Sequence, residues 1–119
     1  MIHAFKLYTG NDNNSHVLEG YLEEKCLALV ESICFQETPA GSSLEWHTAP
    51  HIQYVITLSG VLEFTTKDDE RFIINPGDIL IAMDNIGTGH KWRLVNDQPW
   101  RRAYVIIKKE TENLFIPKR

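Results

Sequence analysis

The stretch WHTAPHIQYVITLSG, residues 46–60, sets two histidines and a glutamine ahead of an apolar run that ends at a glycine. Side chains of an extended strand alternate between its two faces. On that period His47, Ala49, His51, Gln53, Val55 and Thr57 share one side, and Thr48, Pro50, Ile52, Tyr54, Ile56 and Leu58 share the other. The second side is apolar from Ile52 onward and must be buried against something. The polar side is then the interior of a barrel or cleft, with a solvent-facing polar side as the alternative that alternation leaves open. Pro50 donates no ladder hydrogen bond and marks a strand start or bulge. The alternation is therefore firm from His51 onward, and residues 47–49 are expected in a separate short strand or loop.

Outward from this stretch, turn signals recur at short intervals: TGNDNN at 9–14, TPAGSS at 38–43, SG at 59–60, KDDE at 67–70, NPGD at 75–78, NIGTG at 85–89 and NDQP at 96–99. Between them lie the β-favouring runs AFKLY, LVESICFQ, IQYVITL, VLEFTT, RFIIN, ILIAM, KWRLV and AYVIIK. Short strands at this spacing predict an all-β fold, an antiparallel sandwich or barrel. Residues 22–30 offer the one helical alternative, with Glu23, Glu24 and Lys25 on an exposed face. NPGD suits a type II turn, because Pro76 presets φ at the second position and Gly77 takes the positive φ of the third. A tight hairpin between RFIIN and ILIAM is the expectation.

A chain of 119 residues fits one domain, which must carry any site. The net charge of −4 and the scattered Lys and Arg leave no basic stripe for a phosphate backbone, which argues against nucleic acid as a partner. The doublets Arg101-Arg102, Lys108-Lys109 and Lys118-Arg119 read as solvated ends of strands and tail. Cys26 and Cys34 have neither C-x-x-C spacing nor a secreted disulfide framework, so two reduced, half-buried thiols of a cytoplasmic protein are expected. The N-terminal MIHAFKLYTGNDNN lacks the form of a signal peptide, and no apolar run approaches the ~20 residues of a membrane span. No membrane partner is expected.

The stretch that opens this section resembles the first motif of the cupin superfamily: H-x-H, three or four residues, E, six residues, G. Counting back from Gly60, Gln53 stands at the glutamate position, His47 at the first histidine and Ala49 at the second. The second motif, PGD, a strand and G-x-x-H, is similar to Pro76, Gly77 and Asp78, the run ILIAM, then Gly87, Thr88, Gly89 and His90. The interval from Gly77 to His90 is slightly long, Asn85 stands where proline is common, and Leu94 stands where the motif ends in Asn. The chain also resembles small single-domain cupins with W-H-x-A-P-x-x-Q-Y-V-x-x-L-S-G and D-x-x-G-x-G-H sequences. The resemblance covers residues 44–107 and implies a cupin-type antiparallel β-barrel, or double-stranded β-helix (jelly roll). It implies one domain over 1–119, with N-terminal strands and packing segment at 1–43, barrel core at 44–107 and C-terminal tail at 108–119.

In cupins the two histidines and glutamate of the first motif, with the histidine of the second, bind a divalent metal. Carried over residue by residue, His47 and His90 match as ligands, Gln53 replaces the carboxylate and Ala49 cannot ligate. An amide brings no formal charge to offset the metal's. His51 restores a fourth ligand if it shares the face of Gln53; a rim histidine is the alternative. The set His47, His51, Gln53 and His90 favours Zn, Fe, Ni or Cu over Mg or Ca, with no organic cofactor implied. Without His51, three ligands leave coordination open for water or substrate. Trp92 shares the face of His90 and joins Val55 and Thr57 in the pocket wall, or serves only as core. Asp84 either orients His90 or caps its own loop. Trp46 and Tyr54 fall on the opposite face, and His3 and His16 belong to neither motif.

Two functions stay open. One is a metal-dependent enzyme acting on a small organic molecule, of oxygenase, isomerase, lyase or cyclase type. The other is a non-catalytic small-molecule-binding cupin with a vestigial or absent metal site, favoured by Gln53 and Ala49. No P-loop or G-x-G-x-x-G fixes a phosphate or nucleotide. The apolar face of Ile52, Tyr54, Ile56 and Leu58 predicts a homodimer interface unless the N-terminal segment covers it.

Overall fold

The computed structural model describes residues 1–108 and 114–119, which form eleven strands in two sheets. The larger sheet runs in spatial order β11 (Phe115–Pro117), β2 (Ser15–Leu22), β1 (Ile2–Thr9), β8 (Ile79–Ala82), β5 (Gln53–Ser59), β10 (Trp100–Ile107) and β3 (Val30–Thr38). The smaller runs β4 (Ser43–His47), β9 (His90–Leu94), β6 (Leu62–Thr66) and β7 (Arg71–Ile74). This is the all-β jelly-roll arrangement, with the two sheets left open rather than closed into a barrel. Pairing is antiparallel except between β1 and β8, which run parallel.

The alternation of β5 explains how the sheets stack. Val55 packs with Leu80 and Ala82 of β8, Phe5 and Leu7 of β1, and Phe64, Phe72, Trp92 and Leu94 of the smaller sheet, forming the core. Tyr54 points the other way and joins Ala4, Ile79, Ile81 and Ile107 in a second cluster, against which Leu22, Ile56 and Phe115 pack. β8 serves both clusters, which is why ILIA is apolar at every position. Each large side chain so buried contributes about 1.5–3 kcal/mol.

Several expectations are corrected here. The NPGD turn forms as predicted, with Gly77 at φ +93° and Asp78 N donating to Asn75 O at 2.9 Å. It is no hairpin, however, because β7 and β8 lie in different sheets and the turn carries the chain between them. Residues 22–30 contain no helix; Leu27 and Leu29 stand exposed between β2 and β3. Cys26 and Cys34 are exposed rather than half-buried, and no disulfide joins them. Arg102 is buried, whereas Arg101 and Lys108 are solvated; Lys109 lies outside the described residues. The expected apolar interface is divided, since Tyr54 is covered by the chain's own residues while Ile52 and Leu58 are exposed. No helix among the described residues is long and apolar enough to cross a membrane.

Candidate functional site

β4 and β9 bring the two motif histidines side by side, in the pairing register His47 to His90. Their ring centroids lie 4.5 Å apart with planes at 60°. The turn before His90 makes this approach possible. Gly89 has φ +76°, and a Cβ there would collide with the carbonyl group of His47.

Each ring is held through its Nδ1. His47 Nδ1 is 2.7 Å from the carbonyl oxygen of Glu45, which can only accept, so the proton sits on Nδ1. His90 Nδ1 donates to Asp84 Oδ2 at 2.6 Å, and the same oxygen accepts from Ser15 Oγ at 2.7 Å. Asp84, Ser15 and His90 are all buried. This carboxylate behind an imidazole fixes tautomer and ring orientation, the arrangement that raises ligand basicity in metal sites. With Nδ1 of His47 on the Glu45 carbonyl and Nδ1 of His90 on Asp84, the Nε2 of each ring is the nitrogen left for a ligand. Burial lowers the pKa of His47, and neighbouring His90 pushes it the same way, against the opposing pull of the Glu45 carbonyl and Asp84. His47 is thus neutral, as a ligand must be, in the physiological range.

Both histidines line a cavity of about 650 Å³ between the sheets, the size of a small-molecule site. Gln53, 5% exposed, lines the same cavity and makes no side-chain hydrogen bond among the described residues. Ala49 is buried at the wall, in the place of the missing histidine, with its N–H on Asp84 O at 3.0 Å. His51 lies in the bend before β5, exposed at the cavity rim. Val55 and Trp92 line the cavity as expected from their faces. Thr57 does not: it is buried, its hydroxyl accepts from the Trp100 indole at 3.1 Å, and Trp100 lines the cavity in its stead. Trp46 sits outside, beneath Lys67 and Lys91 at 4.1 and 5.1 Å from its ring centroid.

The other two motif-free histidines are ion-paired. His16 contacts Glu70 through Nδ1 and Asp12 through Nε2, both at 2.8 Å, with Asp68 at 3.7 Å. Asp12, His16 and Asp68 are the one three-residue cluster of metal-ligating type among the described residues, but both nitrogens of His16 already face carboxylates. Sequence reasoning missed Arg102. Its signal is the alternation of β10, where Trp100, Arg102, Tyr104 and Ile106 share the cavity face.

A family model described as the Cupin domain matches residues 34–106 of the chain. No curated protein matches it. Among solved structures, a conserved protein of unknown function from Streptococcus pyogenes is similar at 18% sequence identity, covering 78% of this chain and 95% of that one, with a TM-score of 0.49.

Proposed function

Because the chain belongs to the cupin family, we propose that its intersheet cavity binds a small organic molecule beside a divalent transition metal held by His47, His90 and Gln53, and that it is a metal-dependent enzyme. The observation that carries this reading is the pair of imidazoles 4.5 Å apart, each with Nδ1 engaged and Nε2 left as acceptor. Two imidazole nitrogens and one amide oxygen suit Zn, Fe, Ni or Cu. A metal so held would supply Lewis acidity. The protein's own part is to hold the ligands still: Asp84 keeps His90 in one tautomer, and the Glu45 carbonyl does the same for His47. Phe64, Trp92 and Trp100 exclude water from the inner wall. His51, at the rim, meets the incoming molecule rather than the metal.

A second reading, a metal-free binding module, is favoured by one specific feature: no Asp or Glu lines the cavity among the described residues. Metal analysis of tag-free protein separates the two. About one equivalent of transition metal, lost in His47→Ala and His90→Ala, supports the first; protein without metal that still gains thermal stability from metabolites supports the second.

Two further proposals accompany this reading. The exposed thiols Cys26 and Cys34 suit a reducing compartment, the cytoplasm. β3 is a nine-residue edge strand, exposed along almost its whole length, with Ile33 and Phe35 on its outer face, which suits antiparallel pairing with a second copy. Light scattering that reports a dimer, converted to monomer by Ile33→Lys, supports that assembly.

A further inference from the structure

Arg102 is 3% exposed on the cavity wall, and the neighbours that hold it carry no negative charge. Its Nε donates to Tyr104 Oη at 3.0 Å; its Nη1 donates to Thr38 Oγ1 at 2.6 Å and Trp100 O at 3.0 Å. The guanidinium carbon stacks 3.8 Å from the centroid of the Trp100 ring and 5.4 Å from that of Tyr104. Every one of these partners is neutral. A guanidinium has five N–H groups, and the two on Nη2 find no acceptor among the described residues.

The contrast with the other arginines is instructive. Arg71, Arg93 and Arg101 are solvated, and each pairs with a carboxylate, Asp69, Glu63 and Glu37. Arg102, buried where these three are solvated, has no carboxylate within ion-pair distance among the described residues. Burying a cation without a counter-charge is costly, and hydrogen bonds to neutral groups with a cation–π stack offset only part of that. A ligand anion would supply the rest.

We propose that the molecule this cavity takes is a carboxylate, one oxygen accepting from Arg102 Nη2. The phenol proton of Tyr104, whose oxygen already accepts from Arg102 Nε, is available to the same group. The indoles of Trp100 and Trp92, 4.8 Å apart, then offer an apolar wall to the carbon skeleton. A single permanent cation with one free nitrogen matches a monoanion. A phosphate asks for more donors, and no lysine or second arginine lines the cavity among the described residues. The inference rests on the cavity being the ligand site, and does not require the metal.

The test uses metal-stripped full-length protein at mildly alkaline pH, where His47 is neutral. Benzoate, phenylacetate and a short 2-oxo acid are compared with their amides and with inorganic phosphate, by thermal shift and by the Trp100 indole N–H signal. Each acid is expected to bind about tenfold more tightly than its amide, or better. Arg102→Gln should erase that preference, and Arg102→Lys should keep part of it. If Arg102→Gln does not fold, the acid and amide comparison on the wild-type chain still decides. Amides that bind as well as acids, or phosphate that outbinds them, overturn the carboxylate assignment but leave the cavity reading standing. Absence of binding by acids and amides alike overturns both.

Discussion

Substituting Gly89 by alanine probes whether the turn before His90 is pressed against the backbone of His47. Two costs apply. The first is conformational, because Gly89 sits at φ +76°, where an L side chain costs about 1–2 kcal/mol. The second is steric: the new Cβ meets the carbonyl group of His47 and lies 3.0 Å from Thr48 N, all of it backbone that cannot swing away. Forcing an extra methyl into packed structure costs about 1–3 kcal/mol. Gly77 is the internal control, since its φ of +93° carries the first cost while nothing lies within 4 Å to impose the second. We predict that Gly77→Ala loses about 1–2 kcal/mol and Gly89→Ala about 2–5 kcal/mol. Urea unfolding followed by tryptophan fluorescence measures both, with equal slopes as the check that only stability has changed. Two variants that agree within about 0.5 kcal/mol would refute the close approach of the two histidine-bearing segments.

The contribution of two histidines to stability should fall as pH rises above about 6.5. Burial alone lowers the pKa of His3, but its hydrogen bonds to Glu19 and Asp78 outweigh that; His16 is raised by Glu70 and Asp12. Both folded values exceed 6.5, so the stabilisation is complete below 6.5 and is lost as pH rises through the folded values. On the acid side Asp12, lowered first by Asn14 N–H and then by His16, and Glu19, lowered first by His3, contribute stability that is lost as pH falls below the carboxylate range. Thermal melts of wild type and the double variant His3→Gln, His16→Gln check this, since His47, lowered by burial, acts with the opposite sign in both; a wild-type advantage over the variant that grows from pH 6 to pH 8 contradicts it. Phe64, 2% exposed and stacked on Phe72 at 5.2 Å, also backs His90 at 5.7 Å. Phe64→Ala is expected to cost about 3–5 kcal/mol in urea unfolding, and a loss under about 1 kcal/mol would mean the core collapses around the gap.

The strand that carries Gln53 was legible as a β-favouring run between Pro50 and Gly60, and alternation then assigned its faces: Val55 serves the core between the sheets and Tyr54 the cluster behind it. The pairing of His47 with His90 was legible only from motif spacing, since no local signal joins residues forty-three positions apart (47 to 90). Thr57 shows the limit of alternation, which assigns a face but not depth: it is buried beside the Trp100 indole, and Trp100 rather than Thr57 lines the cavity. The NPGD turn shows another limit. Pro76 and Gly77 dictate φ, yet nothing in four residues says whether the next strand pairs with the last or crosses to the other sheet. Arg102 looked like half of a solvated doublet, and Ile33 and Phe35 stood in a run read only as β-favouring. Their true positions follow from β10 sitting inside the larger sheet and β3 at its edge, a matter of long-range topology.

The central claim, that His47 and His90 offer unprotonated Nε2 atoms to one cavity, is most directly tested by long-range nitrogen–proton NMR of the histidine rings during a Zn²⁺ titration at neutral pH. Both rings should carry their proton on Nδ1, and one equivalent of Zn²⁺ should move their Nε2 signals together while those of His3 and His16 stay in place. An Nε2–H tautomer in either ring, or a first equivalent of Zn²⁺ that perturbs His16 beside Asp12 and Asp68 instead, would contradict it.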